Sequence, residues 1–252
     1  MVCVMYALLL TNDQPHLPRS QKMESLLRRF RSSNRASVMP LSLPAARGLL
    51  LAMHVAGVVG LLHPFTHDLF LALVPFNLLV TAALLFMFHR DFGRPFVVFA
   101  LLTYAAGFLV EVAGVHTGLI FGPYAYGAAL GFKQWEVPLL IGVNWLVLVY
   151  STGVVAQKMV PGRWLRPWVG AAVLVLLDLF IEPVAIRYGF WGWHTADIPL
   201  RNYVGWYVTA LGLLTLFAAL PFRKDNPLAP WVLGVQFLFF CGTALLARWN
   251  FF

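Results

Sequence analysis

The sequence predicts an all-α protein built as a polytopic bundle of about seven transmembrane helices. Of its residues, 60% are hydrophobic and only 11% are charged, and the mean hydropathy is +0.77. A soluble globular domain usually contains about 25% charged residues. A chain of 252 residues is long enough for several membrane spans. We therefore expect an integral membrane protein.

Seven apolar segments are long enough to cross a bilayer, since a spanning helix needs roughly 20 residues. They cover residues 45–63, 69–88, 95–118, 137–157, 168–187, 203–221 and 228–247. A basic, serine-rich stretch precedes them. We therefore divide the chain into a flexible cytoplasmic tail at 1–44 and a single transmembrane domain at 45–252.

The positions of Lys and Arg predict that the N-terminus lies in the cytoplasm and the C-terminus outside. With that orientation, 14 basic residues lie on the inner side and 4 on the outer side, the asymmetry expected in a cytoplasmic membrane. The inner residues are Arg19, Lys22, Arg28, Arg29, Arg31, Arg35, Arg47, Arg90, Arg94, Lys158, Arg163, Arg166, Arg223 and Lys224. The outer residues are Lys133, Arg187, Arg201 and Arg248.

The sequence lacks the residues that several classes of function require. The basic residues behind the net charge of +8 are distributed as membrane topology predicts, so we do not expect nucleic-acid binding. Cys3 and Cys241 are the only cysteines, which argues against a disulfide framework or a thiolate metal site. The sequence has no histidine-rich cluster or glycine-rich phosphate loop, and we expect neither a metal nor another cofactor. No lysine lies in the middle of a predicted helix, which excludes a retinal Schiff base.

Two long outer connections resemble each other. Residues 131–145 are GFKQWEVPLLIGVNW, residues 192–206 are GWHTADIPLRNYVGW, and the two align without a gap. Each connection follows a predicted helix with a glutamate in its outer half, Glu111 or Glu182. We interpret predicted helices 3–4 and 5–6 as parallel repeats packed around a common site.

Glu136 and Asp197 occupy matching places in these two connections. Each stands two residues before a proline that opens a predicted helix. An acidic residue near the N-cap, followed by proline in the first turn, is a helix start signal. We therefore expect both residues to cap helices rather than to take part in catalysis.

Three of the ten acidic residues lie inside predicted spans, namely Glu111, Asp178 and Glu182. An acid such as Asp at a helix centre costs roughly 2.5–3.5 kcal/mol on insertion, so three of them require compensation. At 1.5 Å per residue they lie about 24, 15 and 21 Å along helices that run outward, in one layer of the outer leaflet. The spacing of Asp178 and Glu182 places both on one helix face.

A carboxyl group in these surroundings favours its neutral form, and two that approach closely share a proton. We expect an acid that stays protonated at neutral pH and can protonate an apolar substrate. The structural alternative is a hydrogen-bonded cluster that joins helices. The sequence leaves open which of the three carboxyl groups donates the proton.

Aromatic residues concentrate at the same depth, in the two matching connections. An interfacial belt explains many of them, but a wall of aromatic rings also stabilises a transient cation.

His116 could orient Glu111 or a water molecule, or could simply be packed. The candidate catalytic residues are Glu111, Asp178 and Glu182, and the candidate substrate-binding residues are His116, Tyr124, Tyr126, Asn144, Trp145, Trp191, Trp193 and Asn202.

Three motifs carry a resemblance to a known family. The stretches VEVAGVHTGLIFGPYAYG, VPLLIGVNW and DLFIEPVAIRYGFWGW, the last followed by IPLRNYVGW, resemble the integral-membrane carotenoid hydratases, which are often described only as carotenoid biosynthesis proteins. The resemblance covers roughly Arg47 to Phe252 and is strongest between Glu111 and Trp206, while the N-terminal tail lies outside it. Each motif alone would be weak, but their combination is specific.

The resemblance implies an enzyme that adds water across the terminal 1,2 (or 1′,2′) double bond of an acyclic carotenoid without a redox cofactor. The expected partners are that carotenoid within the bilayer, membrane lipids and other enzymes of the carotenoid pathway. Alkene hydration needs a buried acid, a wall that tolerates a cation and one held water molecule. Asp178 and Glu182 are the favoured pair for protonation, with Glu111 and either Asn144 or His116 placing the water, and the reverse assignment stays open.

Two other functions fit the same residues. A carotenoid cyclase that begins by protonation would use the same acid and cation but exclude water. A carotenoid- or lipid-binding bundle or transporter would use its acids only to relay protons. The pigment formed from an acyclic carotenoid distinguishes the three.

Overall fold

A computed structural model describes residues 41–248 of the chain. Most of the predicted N-terminal tail lies outside the described residues. Eight helices and four short strands follow one another in this order: α1 (Leu43–Leu62), α2 (His67–Ala72), α3 (Val74–Met87), α4 (Arg94–Thr117), β1 (Tyr124–Tyr126), β2 (Lys133–Gln134), β3 (Val137–Pro138), α5 (Leu140–Met159), α6 (Arg166–Arg187), β4 (Trp191–Trp193), α7 (Leu200–Ala219) and α8 (Ala229–Arg248).

The described helices form the polytopic bundle that the composition predicts, with one difference in the second span. Six of them, α1, α4, α5, α6, α7 and α8, are long and apolar enough to cross a membrane. The predicted span at 69–88 is instead divided at Leu73 into α2, of 6 residues, and α3, of 14 residues. Pro75 stands in the first turn of α3. Because proline has no N–H group, it cannot continue the hydrogen bonding of the preceding helix, and hydropathy alone does not detect this break.

The expectation that Glu136 and Asp197 cap helices is wrong. Helices α5 and α7 begin after Leu139 and Pro199, and neither has a side-chain hydrogen bond at its N-cap. Glu136 lies instead with Trp135 at the two-residue turn between β2 and β3, where both have positive φ values, 65° and 50°. Positive φ at both central residues is typical of a type I′ hairpin turn. The start signal fails because strand β3 separates Glu136 from the helix.

Helix α5 is the centre of the bundle. It contacts α3, α4, α6, α7 and α8. Within the protein, 67% of its spanning window is buried, whereas the other five spans are 33–50% buried. Residues near the N-terminal end of α5, such as Asn144 and Trp145, therefore lie inside the bundle.

A hydrogen-bonded chain joins the loop after α3 to the middle of α5. Nε2 of His89 lies 2.6 Å from the carbonyl oxygen of Asp91, and because a carbonyl only accepts, this nitrogen is the donor. In the neutral ring Nδ1 is then an acceptor, and the Tyr150 hydroxyl donates to it at 2.7 Å. The Asn226 amide donates to the Tyr150 oxygen at 3.3 Å and to the Leu85 carbonyl at 2.8 Å. Protonated His89 has no acceptor nitrogen, so the Tyr150 hydroxyl would then lose the acceptor of its proton.

Acid is therefore expected to destabilise the fold through His89. Burial lowers the pKa of His89 from its usual 6.5. Its contribution is fully present above pH 6.5 and is lost as the pH falls from there toward the folded-state pKa, because the unfolded chain binds the proton more readily. The midpoint of thermal unfolding in detergent should fall between about pH 7 and about pH 5, and fall less in His89→Gln. The same decrease in both proteins would contradict this assignment.

Candidate active site

Strands β1 and β4 form a two-stranded antiparallel sheet beside the three acids. Tyr124 lies opposite Trp193, and Tyr126 lies opposite Trp191. Side chains alternate between the two faces of a strand, so these four aromatic rings share one face. That face is turned into the protein, since both tyrosines are buried whereas Ala125 between them is exposed. The sheet therefore presents four hydrogen-bond donors, two phenols and two indoles, to the interior.

Glu111 on α4 accepts three hydrogen bonds. The hydroxyls of Tyr124 and Tyr126 donate to its Oε2 at 2.5 and 2.8 Å. Nε1 of Trp145, from α5, donates to its Oε1 at 3.0 Å. Only 4% of Glu111 is exposed. Three donors from two elements thus compensate the burial of this carboxyl group and fix its orientation.

Glu182 on α6 is held in a matching way. Nε1 of Trp191 and of Trp193 donate to its Oε2 at 3.2 and 2.9 Å. The Asn202 amide, from α7, donates to its Oε1 at 3.0 Å. Glu182 is 1% exposed. Both strands of the sheet therefore bind a glutamate of the helix that precedes them.

Asp178, one turn before Glu182, has fewer partners. The Asn202 amide nitrogen that binds Glu182 also donates to Asp178 Oδ2, at 2.8 Å. Among the described residues, Asp178 Oδ1 has no hydrogen-bond partner, although the residue is 0% exposed. The predicted common face of Asp178 and Glu182 is confirmed, because one amide bridges the two carboxyl groups.

A small gap separates the two glutamates. Its volume is about 20 Å³, and both Glu111 and Glu182 line it, together with Asn144 and Asn202. A polar cavity of on the order of 10–15 Å³ is enough for one water molecule. Of the three acids, two therefore line the gap, and Asp178 does not.

The structure brings all but one of the candidate residues together. The residues that line the gap or bind an acid are Tyr124, Tyr126, Asn144, Trp145, Trp191, Trp193 and Asn202. His116 does not line it and is exposed in the last turn of α4. Depth alone suggested His116, but five residues after Glu111 correspond to about 140° around the helix axis, which is another face.

Three further residues of the lining were not among the candidates. They are Phe121, Ile141 and Trp206. The Trp206 ring lies 4.6 Å from that of Trp145, centroid to centroid. The alignment of the two outer connections, in which Trp145 and Trp206 coincide, could have identified Trp206. Nothing in the sequence pattern distinguishes Ile141 from its apolar neighbours.

The two halves of the site share one plan. In each half, a glutamate accepts hydrogen bonds from two aromatic side chains of the following strand and from one side chain of the next helix. Strands β1 and β4 are therefore counterparts. The gapless alignment of 131–145 with 192–206 places β4 opposite residues 130–132 instead. It does not allow for the β2–β3 hairpin, which lengthens the first connection.

The first half has no counterpart of Asp178. Gly107 precedes Glu111 by four residues, as Asp178 precedes Glu182. A Cβ atom on Gly107 would lie only 2.5 Å from Cβ of Trp145. The glycine therefore lets Trp145 approach α4 closely enough to bind Glu111. The site has its additional carboxyl group only on the side of Glu182.

Gly107→Ala is expected to displace Trp145 and weaken the protein. Overpacking a tight contact typically costs about 1–3 kcal/mol, and the Glu111 carboxyl would lose its indole donor as well. Gly212→Ala in α7 is the matched control, because nothing lies within 4 Å of the Cβ position there. The midpoint of thermal unfolding should fall in Gly107→Ala and stay at or slightly above the parent value in Gly212→Ala, because alanine favours the helix more than glycine does. Unchanged stability in Gly107→Ala would contradict the packing argument.

Comparison with known proteins identifies the family. Residues 72–251 match the family described as carotenoid biosynthesis protein, which is more than two thirds of the chain and includes the whole site. The chain belongs to the carotenoid biosynthesis protein family.

One relative of this carotenoid biosynthesis protein has a name that specifies a reaction. The bisanhydrobacterioruberin hydratase of Haloarcula japonica is 29% identical over 126 residues, which are 47% of this chain and 42% of the relative. The match thus spans less than half the length of that relative. No solved structure matches the chain.

Proposed function

We propose that this protein is a carotenoid hydratase, which adds water across a terminal 1,2 double bond of an acyclic carotenoid. The gap for one water molecule between Glu111 and Glu182 carries the proposal. It combines two buried carboxyl groups with an aromatic wall, and alkene hydration needs these groups. Family membership and the name of the Haloarcula japonica relative support the same reaction class.

The Asp178 and Glu182 pair supplies the proton. A carboxylate that accepts three hydrogen bonds is well stabilised as an anion, but Asp178 accepts one. Asp178 therefore holds the proton at rest and passes it to Glu182, which lies one turn along the same face of α6. Glu182, which faces the gap, transfers it to the less substituted alkene carbon. The π electron pair forms the new C–H bond, and a tertiary carbocation remains.

Aromatic rings surround the position of that cation. The ring centroids of Tyr124 and Trp193 lie 5.2 Å apart, and those of Tyr126 and Trp191 lie 5.9 Å apart. The faces of aromatic rings stabilise a nearby cation by about 0.5–2 kcal/mol each, more where water is excluded. Their hydrogen bonds to the glutamates hold the four rings in place.

Glu111 completes the reaction as the base. Its three donors favour the carboxylate. Water attacks the tertiary carbon, its oxygen lone pair forms the C–O bond, and Glu111 accepts the released proton. Return of that proton to the Asp178 and Glu182 pair restores the starting state, so the net change is the addition of one water molecule.

We place the protein in the cytoplasmic membrane with its N-terminus inside, on the basis of the 14 inner and 4 outer basic residues. The site then lies in the outer half of the bilayer. Substrate and product are both dissolved in lipid, so other carotenoid-pathway enzymes of the same membrane would exchange them with this protein through the bilayer.

Expression in a host that accumulates lycopene, followed by mass spectrometry of the pigments, tests the proposal. We expect a product heavier than lycopene by one water molecule. An isomer of unchanged mass would favour the cyclase instead. Failure to convert any acyclic carotenoid supplied would favour the binding or transport function.

A further inference from the structure

A second, larger cavity lies beside the site. Its volume is about 570 Å³, and it is bounded mainly by α1, α3 and α8. Leu49 on α1 and Phe76 on α3 belong to its wall and are also 41% and 62% exposed. The cavity therefore opens between these two helices, toward the surface that faces lipid. An apolar molecule in the bilayer can enter it without crossing water.

The large cavity lies next to the gap between the glutamates. Ile141, Asn144 and Trp191 line both spaces. A linear molecule in the large cavity can therefore place one end at these shared residues, beside the gap that holds the water molecule. The small gap alone has no room for such a molecule.

The wall of the large cavity contains an amide side chain. Gln236 on α8 lines the cavity and is 7% exposed. Its side chain makes no hydrogen bond with any residue in the range 41–248. Its polar atoms are not among the fully buried ones, and Gln236 lines the cavity, so they remain accessible to a bound molecule. An amide N–H group can point at the electron-rich face of a conjugated chain. A saturated acyl chain offers no such partner.

We propose that this cavity binds the conjugated chain of a linear acyclic polyene, which enters sideways from the bilayer between α1 and α3. The Gln236 amide lies against the chain, and the reacting end lies where the cavity adjoins the gap between Glu111 and Glu182. The position of the reacting end rests on the proposed function. The cavity as a polyene site stands on its own lining and opening.

Neighbouring residues of α3 provide a matched test. Val80 lines the cavity, whereas Leu79 does not and is 48% exposed. Val80 and Leu79 are each replaced by Trp in a protein that also carries Glu182→Gln, so that lycopene is bound but not converted. Both variants and the Glu182→Gln protein are purified from a host that accumulates lycopene. The measurement is the lycopene absorbance per protein, with the yield of monodisperse protein as the test of folding. The amount of co-purified lycopene should fall about tenfold in Val80→Trp, because the polyene chain buries less of its surface there. Leu79→Trp should keep its lycopene.

The proposal would be overturned if Val80→Trp bound as much lycopene as the Glu182→Gln protein. It would also be overturned if both Trp variants lost the same amount of lycopene. Gln236→Leu should keep the lycopene but shift its visible absorption band, and an unshifted band would overturn the role of the amide. The outcome for catalysis is separate. Bound lycopene in the unsubstituted protein without a hydrated product would overturn the proposed function and leave the polyene site standing.

Discussion

Glu182→Gln is expected to abolish water addition while leaving the fold intact. The substitution keeps the shape of the side chain but removes the group that transfers the proton into the gap. A general acid contributes roughly 10²–10⁴-fold to a rate, so hydrated product should fall by at least about 100-fold. The measurement is the hydrated carotenoid formed per amount of protein in isolated membranes supplied with lycopene.

Asp197→Asn is the control for this substitution. It removes another carboxyl group from the segment between α6 and α7, but Asp197 is exposed and does not line the gap. Its activity should equal that of the parent. Activity within a factor of about three of the parent in Glu182→Gln would show that another group donates the proton.

Glu111→Gln is expected to stop the reaction at a different point. Glu182 can still protonate the alkene, but no carboxylate accepts the proton from the attacking water. Hydrated product should fall by about 10²-fold or more. The cation then loses a proton and returns to alkene, so lycopene recovered from deuterium oxide should carry carbon-bound deuterium. Glu182→Gln should give neither product nor deuterium exchange.

The hydrogen-bond donors of Glu111 provide intermediate variants. Tyr124→Phe and Tyr126→Phe each remove one of its three donors, and each should lower the rate by less than Glu111→Gln does. Deuterium exchange in Glu182→Gln but not in Glu111→Gln would reverse the roles assigned to the two glutamates.

The sequence could predict the bundle and the depth of its acids because both depend on local composition. The i, i+4 spacing of Asp178 and Glu182 correctly placed them on one face, where the Asn202 amide now bridges them. The depths of Glu111 and Glu182 likewise placed them in one layer, and both line the gap. Helical rise and periodicity were sufficient for these positions.

The sequence could not predict the β1–β4 sheet. The sheet pairs Tyr124 with Trp193, 69 positions later in the chain, and two strands of three residues have no hydropathy pattern of their own. The break at Pro75 interrupts a stretch whose composition stays apolar, and the strands of the β2–β3 hairpin have only two residues each, so neither feature has a hydropathy signal. The hydrogen bonds from the tyrosines and tryptophans to the glutamates depend on the pairing of β1 with β4. The sequence could therefore predict that aromatic residues lie near the acids, but not which acid each of them binds.

The most direct test of the central claim is the origin of the atoms added to the carotenoid. Membranes containing the parent protein are supplied with lycopene in water labelled with oxygen-18, and separately in deuterium oxide. Protonation followed by water capture predicts that the new hydroxyl oxygen comes from water and that one carbon-bound deuterium lies next to the tertiary alcohol. A hydroxyl without the oxygen-18 label, or a hydrated product without carbon-bound deuterium, would contradict it.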